Sequence, residues 1–325
     1  MKSNGALRGG IDLGGTKIQT AIVNEGGEVV GQARHATPEK GGPADVAAEM
    51  GAALREAADA AGVEPGSLSG VGVGSPGDAD QRTGIVTAAR NLPGWEGSFP
   101  LGEALSDALG TRVRVGNDVQ VATNAEFRLG AGKPYSSILG VFWGTGVGGG
   151  LILDGKPWLG QGAAGEIGHV VVRRNGARCP CGRRGCMEAY AGRAAMERKA
   201  RKAERSGVET ELFEIMRQRG RDRLTSAVWD HALRRSDALA ESLIRRAIRA
   251  LGTGIASAQN LLDVEAIILG GGLGLRLGPA YAGEIEREMH KHLFVTNRSP
   301  ALHLADLGDL GGAIGASLLV DGHQI

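Results

Sequence analysis

The sequence predicts an α/β protein of two domains with a cleft between them, and three observations carry that expectation. A chain of 325 residues, 42% hydrophobic and 22% charged, is long enough to bury two separate cores. Strand-like and helix-like runs alternate from one end to the other. One unusual pattern of strand, glycine turn, strand and second turn occurs twice, in IDLGGTKIQTAIVNEGG and in SSILGVFWGTGVGGGLILDGK, so the chain reads as two similar halves.

Each element has its own warrant. IDLGGTKIQTAIVNEGGEVVGQARHA alternates β-branched residues between glycine turns and predicts a three-stranded antiparallel meander. ADVAAEMGAALREAADAAG has helical spacing and a terminal glycine. VGVGSPGDA predicts a strand running into a Pro-Gly turn, LGEALSDALG a short helix, TRVRVGND a strand, and VQVATNAEFRLGAG another helix. The second glycine hairpin follows. The stretch from about Gly192 to Gly252 is helical and charged, DVEAIILGGGLG is a buried strand ending in glycines, and ALHLADLGDLGGAIGASLLV supplies a last strand and helix.

Composition removes several function classes. A net charge of +1 gives no global attraction to nucleic acid or membrane. MKSNGALRGG lacks the apolar core of a signal peptide, and no run of apolar residues is long enough to span a bilayer. The 3 cysteines cannot all pair within one chain, which fits a reducing compartment and a cytoplasmic protein. The 55 glycines fall between apolar segments rather than in a repeat, so they belong to loops.

Gly144, Gly146 and Gly149 satisfy G-x-G-x-x-G, the fingerprint of dinucleotide binding. That motif requires a helix directly after the glycines, whereas LILDGK reads as a strand and a turn. No G-x-x-x-x-G-K-[ST] is present either. Two hairpins remain, DLGGTK at 12–17 and WGTGVGGG at 143–150. They are either tight turns or loops whose backbone N–H groups can approach phosphate oxygens.

Taken in order, DLGGTK, GND at 116–118, WGTGVGGG, GEIGH at 165–169 and CPCGRRGCME at 179–188 resemble the ROK family of sugar kinases and repressors. The resemblance runs from about Gly9 to Leu319. It implies an actin-like ATPase (ribonuclease H-like) fold whose two α/β domains close over ATP and a sugar. The expected small domain is 8–120 with about 306–325, and the large domain is 121–305.

The resemblance also assigns residues. Asp118 matches the catalytic base, although an Asp in that place also suits a helix cap. Asp12 matches an acidic residue near Mg2+ and the phosphates. Gly14, Gly15, Thr16 and Lys17 form the first phosphate hairpin, and Gly144, Thr145, Gly146, Gly148 and Gly149 the second. Gly271 and Gly272 match an adenosine-side loop. Asn117, Asp118, Glu166, His169 and Glu188 match sugar-binding positions, with Gly74 and Asn91 as weaker candidates. A buried sugar hydroxyl left without a partner costs ~1–3 kcal/mol, so such a pocket needs a ring of polar groups.

CPCGRRGC holds every cysteine. With His169 it gives H-x9-C-x-C-x4-C, in which Cys179, Cys181, Cys186 and His169 suit a tetrahedral structural zinc (Zn2+). A redox C-x-x-C is absent, and Arg178, Arg183 and Arg184 lie close enough in sequence to favour thiolates. Residues 173–249 carry 20 of the 37 Lys and Arg but 10 acidic residues, which suits either a solvated helical face or a surface for polyanions.

The activity implied is ATP-dependent phosphorylation of a hexose at its 6-hydroxyl, glucose first, by a cytoplasmic homodimer. Fructokinase, mannokinase, N-acetylhexosamine kinase, polyphosphate-using glucokinase and non-catalytic sugar sensor are the alternatives. One departure stands out. The family often carries Asn two residues after the base, where this chain has Gln120, and that bears on sugar preference.

Overall fold

The structure is a computed structural model that describes residues 6–89 and 92–321, without the side chain of Asp321. The chain divides into two compact units, Met1–Ser136 with Gly150–Ala164 and Asp306–Ile325, and Ser137–Gly149 with Gly165–Ala305.

The first unit is built on a sheet. Its strands are β1 (Arg8–Leu13), β2 (Lys17–Val23), β3 (Val29–Ala36), β4 (Val71–Ser75) and, after three short strands, β8 (Val113–Asn117), in the order β3-β2-β1-β4-β8. The meander β1-β2-β3 is antiparallel, while β1, β4 and β8 are parallel. Side chains alternate across a strand. Ile11 and Leu13 therefore enter one core with Val46, Met50 and Leu54 of α1 (Pro43–Ala60) and Leu101 and Leu105 of α2 (Leu101–Leu109). Asp12, between them, faces the other way. That opposite face is covered by α3 (Asp118–Leu129) and the C-terminal helix Gly311–Ser317, through Val121, Ala313, Ile314 and Ala316.

The short strands β5 (Asp78–Asp80), β6 (Ile85–Thr87) and β7 (Ser98–Phe99) make a separate sheet that the sequence reading did not anticipate. Buried Trp95 anchors it, donating its indole N–H to the Val86 carbonyl at 3.2 Å and meeting Phe99 edge-on at 5.6 Å.

The second sheet has the order β11-β10-β9-β12-β13, where β9 is Ile138–Trp143, β10 Val147–Leu153, β11 Lys156–Pro157, β12 Ala266–Gly270 and β13 Ala301–Leu304. β12 lies parallel to both β9 and β13, and all five of its residues are buried. This is why AIILG reads as an uninterrupted apolar run. The helices of this unit are α4 (Glu188–Ala191), α5 (Arg193–Arg205), α6 (Leu212–Gln218), α7 (Ser226–Arg234), α8 (Ala238–Leu262) and α9 (Gly271–His290). Asp237 caps α8 by accepting the Ala240 N–H at 2.7 Å, and Leu243, Ile244, Ala247, Ile248, Leu251 and Ile255 form its buried stripe. The sequence places only a glycine loop after this strand, where the structure has the 20-residue helix α9.

Candidate active-site residues

In the first unit the candidate residues gather at the carboxyl ends of parallel strands, where open α/β sheets place their ligands. The register aligns Asp12 of β1 with Gly74 of β4, and Gly74 with Gly116 of β8. Asn117 ends β8 and caps α3. Its side-chain carbonyl accepts the N–H groups of Val119 and Gln120 at 3.1 and 3.2 Å, and its amide donates to the Gly77 carbonyl at 3.3 Å. Asp118 is then the first residue of α3, and its carboxylate accepts the Val119 N–H at 3.0 Å. Gly74 packs beside the Asp118 backbone: a Cβ there would meet its Cα in ordinary contact at 3.4 Å.

Asp12 is pressed against the start of the C-terminal helix, where a Cβ on Gly312 would lie 2.6 Å from its carboxyl carbon, so a larger residue there would displace the Asp12 carboxyl. Burial pushes the Asp12 carboxyl up to about 6; Lys17 opposes the rise and Asp309 adds to it. A half-buried carboxylate at a strand end is a hard oxygen donor of the kind that holds Mg2+ with the help of substrate phosphates. The first hairpin is closed by the Gly14 N–H donating to the Lys17 carbonyl at 2.9 Å and by the Thr37 hydroxyl donating to the Gly14 carbonyl at 2.6 Å. Gly15 and Thr16 at its tip are exposed, and the Lys17 ammonium lies 2.5 Å from Asp309 and also bonds Gln19.

In the second unit the turn Gly144–Gly146 joins β9 to β10, and the Gly144 N–H donates to the Gly146 carbonyl at 3.0 Å. It is held from behind by the start of α5. The N–H groups of Arg193 and Ala194 donate to the Gly144 and Thr145 carbonyls, and the Arg193 guanidinium donates to the Thr145 hydroxyl at 2.8 Å. Gly271 and Gly272 open α9 at the end of β12, beside the hairpin: a Cβ on Gly144 would lie 3.8 Å from the Gly272 nitrogen. Gly148 and Gly149 fall within β10.

Glu188 accepts the Val147 N–H at 3.0 Å, and its carboxylate lies so close to Gly146 that a Cβ there would sit 2.2 Å from Oε2. Its other oxygen is 3.9 Å from the Cys179 sulfur. The cysteines and His169 do converge, their ligand atoms all lying within 4.8 Å of one another. Cys181 and Cys186 sulfurs are 3.7 Å apart, and Cys179 Sγ is 3.8 Å from His169 Nδ1. Zn–S bonds of ~2.3 Å set an S···S edge of ~3.8 Å in a tetrahedron, so the donor set fits zinc. The other ring nitrogen of His169, Nε2, faces Glu166 at 3.8 Å, and the Glu166 carboxylate is exposed.

The arginines act unevenly. Burial raises Cys179 to about 12 and also raises Cys186. At Cys181 burial opposes the thiolate, but hydrogen bonds from the Arg183 backbone and side chain and from the other two thiols outweigh it and bring the thiol down to about 6. Arg184 is spent on the Gly176 carbonyl at 3.3 Å. Asn91 lies outside the described residues. Arg193 and Gly312 were not singled out from sequence; a glycine or arginine at a helix start carries no local mark of what it touches.

This two-unit α/β arrangement is the actin-like ATPase fold. The ROK family model matches residues 8–323, and the chain belongs to the ROK family. It is 32% identical over 314 residues to a glucokinase of Halalkalibacterium halodurans, covering 96% of this chain and 94% of that one. It is also 32% identical over 322 residues to an N-acetylgalactosamine kinase of a Shewanella species, covering 96% of each. Among solved structures, a ROK family glucokinase from Streptomyces griseus in complex with glucose and AMPPNP superposes with a TM-score of 0.82 at 30% identity, over 98% of this chain and 100% of that one.

Proposed function

We propose that the protein is a glucokinase that transfers the γ-phosphoryl group of ATP to the 6-hydroxyl of D-glucose, with Asp118 as general base. That the chain is a sugar kinase rests on its family and on relatives named for such activities over nearly its whole length. The finer reading leans on one observation: Asp118 and Asp12 both stand at the carboxyl ends of parallel strands of one sheet, joined through the register Asp12–Gly74–Gly116. One carboxylate suits a proton and the other a cation.

The steps assigned to the chain's residues are these. Asp118 takes the proton from the sugar hydroxyl as its oxygen bonds to the γ-phosphorus and the bond to the bridging oxygen of ADP breaks. The transition state is loose, so positioning and charge neutralisation do most of the work. The hairpins of Gly14, Gly15, Thr16 and Lys17 and of Gly144–Gly149 offer a cation and the backbone N–H groups not already spent on closing the turns to the phosphates. Mg2+, held through Asp12, would supply charge neutralisation on the phosphate oxygens. The start of α9, at Gly271 and Gly272, favours negative charge by ~0.3–1 kcal/mol. Asn117, Glu166, His169 and Glu188 supply sugar hydrogen bonds, and Gly74 and Asn91 are the weaker candidates for the same role.

His169, Cys179, Cys181 and Cys186 would hold zinc with all four positions taken by protein, and the bound metal would act as a structural tie for His169, Glu166 and Glu188. Three free thiols support the reading of a protein kept in the reducing cytoplasm, and a homodimer is the assembly that the family resemblance implies.

The N-acetylgalactosamine kinase, equally similar, favours a second reading in which the acceptor is an N-acetylhexosamine. ADP release measured across glucose, mannose, fructose and N-acetylhexosamines decides between them. Highest kcat/KM on glucose supports the proposal, preference for an N-acetylhexosamine replaces it, and sugar binding without turnover makes the protein a sensor.

A further inference from the structure

The basic stretch noted in the sequence does not spread evenly over helical faces. Part of it converges on an open pocket of about 410 Å³ in the second unit, lined by Arg173, Tyr190, Arg246, Arg249 and Thr253. Arg173 comes from the segment between His169 and Cys179, Tyr190 from α4, and the other three from successive turns of α8. Neighbouring Arg245, one residue round the helix, is paired with Glu241 at 3.2 Å. Among the described residues, Arg173, Arg246 and Arg249 have no acidic partner, and no acidic residue lines the pocket.

Uncompensated charge extends behind the rim. The Lys199 ammonium packs over the Tyr190 ring at 4.6 Å and donates to the Ala189 carbonyl at 3.2 Å. Burial, then the positive charges of Arg246 and Arg198, lower its pKa to about 8. The buried Tyr190 hydroxyl accepts the Ala177 N–H at 2.7 Å, which leaves its own proton to donate. Like charges held together around a concavity raise the free energy of the folded chain, and a multiply charged anion relieves that cost. Guanidinium forks match phosphate oxygens in shape and form hydrogen bonds about twice as strong as neutral ones.

We propose that this pocket is a second anion site, separate from the glycine hairpins, that binds a phosphate-bearing small molecule through Arg173, Arg246, Arg249 and the Tyr190 hydroxyl. Its volume exceeds what orthophosphate fills, so the ligand is a phosphate ester or a short polyphosphate. Occupancy ties α8 to the segment that bears the cysteines and to α4, on which Tyr190 lies two residues from Glu188.

Thermal denaturation at fixed ionic strength tests this, with orthophosphate, glucose 6-phosphate and tripolyphosphate as probes and potassium chloride as the matched control. The expected result is a saturable rise in Tm for wild-type protein with one or both of the larger probes. In R246A/R249A the same rise needs at least ten-fold more ligand, while kcat at saturating substrates is unchanged. A response to the ester alone identifies a product-like ligand, and a response to tripolyphosphate alone a polyphosphate chain. The site is refuted if chloride reproduces the rise, if neither larger probe gives one, or if the double variant responds as wild type does, which would place binding at the hairpins. R249Q alone gives the same comparison if the double variant does not fold. Because the readout is binding, it stands whether or not glucose is the substrate.

Discussion

The carboxylate of Glu188 accepts the backbone N–H of Val147 at 3.0 Å, and so joins the first turn after the cysteine loop to the second glycine hairpin. The same side chain touches Cys179 and lies so close to Gly146 that a larger residue there would have to push the carboxylate aside. A residue that sequence marks as a sugar ligand thus also holds the loop proposed to cradle phosphate. Val147 is buried, so Glu188→Ala leaves its N–H unpaired, at a cost of ~1–3 kcal/mol. Urea denaturation is expected to show that loss, with KM rising for both ATP and sugar. Glu188→Gln keeps an acceptor and is expected to lose less stability. Unchanged stability in the alanine variant would reduce Glu188 to a sugar contact.

Asp118→Asn separates the base from the cap. Asparagine still accepts the Val119 N–H that Asp118 takes at 3.0 Å, so α3 keeps its start. It cannot take a proton from a hydroxyl. The expected outcome is a fall in kcat of about 10²–10⁴-fold with sugar affinity, measured by calorimetry, within a few fold of wild type. Retained turnover would remove Asp118 as base.

Much of this was readable in the sequence because it rests on local patterns. Alternating β-branched residues mark the meander, VGND marks a strand end and helix cap, and the spacing of His169, Cys179, Cys181 and Cys186 marks a donor set that the fold does assemble. What escaped notice depends on distance. Strands β5 to β7 are two or three residues each, too short for periodicity to show. Helix α9 begins GGLGLRLGP, poor in helix propensity, and forms because Leu273, Leu277, Ile285 and Met289 find a core. Gly312 and Arg193 matter through partners that are remote in sequence, Asp12 and Thr145.

His35 supplies a pH dependence in the first unit. Its Nδ1 lies 2.6 Å from Glu49 and its Nε2 2.9 Å from Glu56. Neutral imidazole has one N–H, so both contacts are satisfied only by the imidazolium. The hydrogen bond to Glu56, then that to Glu49, raises its pKa above 6.5. A raised folded-state pKa means the folded chain holds the proton more tightly than the unfolded one. The resulting stability is fully present below about 6.5 and is lost as pH climbs through the folded value. The stability difference between wild type and His35→Gln is therefore expected to be largest near pH 6 and to shrink toward pH 9. A difference independent of pH would show that His35 is neutral.

The cysteine knot predicts about one zinc per chain by mass spectrometry of the untagged protein. Chelation, or Cys181→Ser, is expected to lower Tm and to raise KM for sugar more than KM for ATP, because His169 and Glu166 hang from the knot. Equal effects on both constants would leave the metal a support for the fold alone, and fully active protein without metal would refute the site.

Gln120 gives the sharpest test of sugar preference. It stands two residues after Asp118, is almost fully buried, and donates its amide to the carbonyls of Gly162 and Ala164 at 3.4 and 3.2 Å. Those carbonyls belong to the loop that runs directly into Gly165 and Glu166. Asparagine, one methylene shorter, cannot span the gap, and two hydrogen bonds worth ~0.5–1.5 kcal/mol each are lost. In Gln120→Asn the loop 158–164 is expected to exchange its amide hydrogens faster. KM for the preferred hexose is expected to rise several fold with kcat nearly unchanged, because Asp118 and its cap Asn117 stay in place. Faster exchange with an unaltered hexose profile would confine Gln120 to loop stability, and unaltered exchange would remove it from the sugar site altogether.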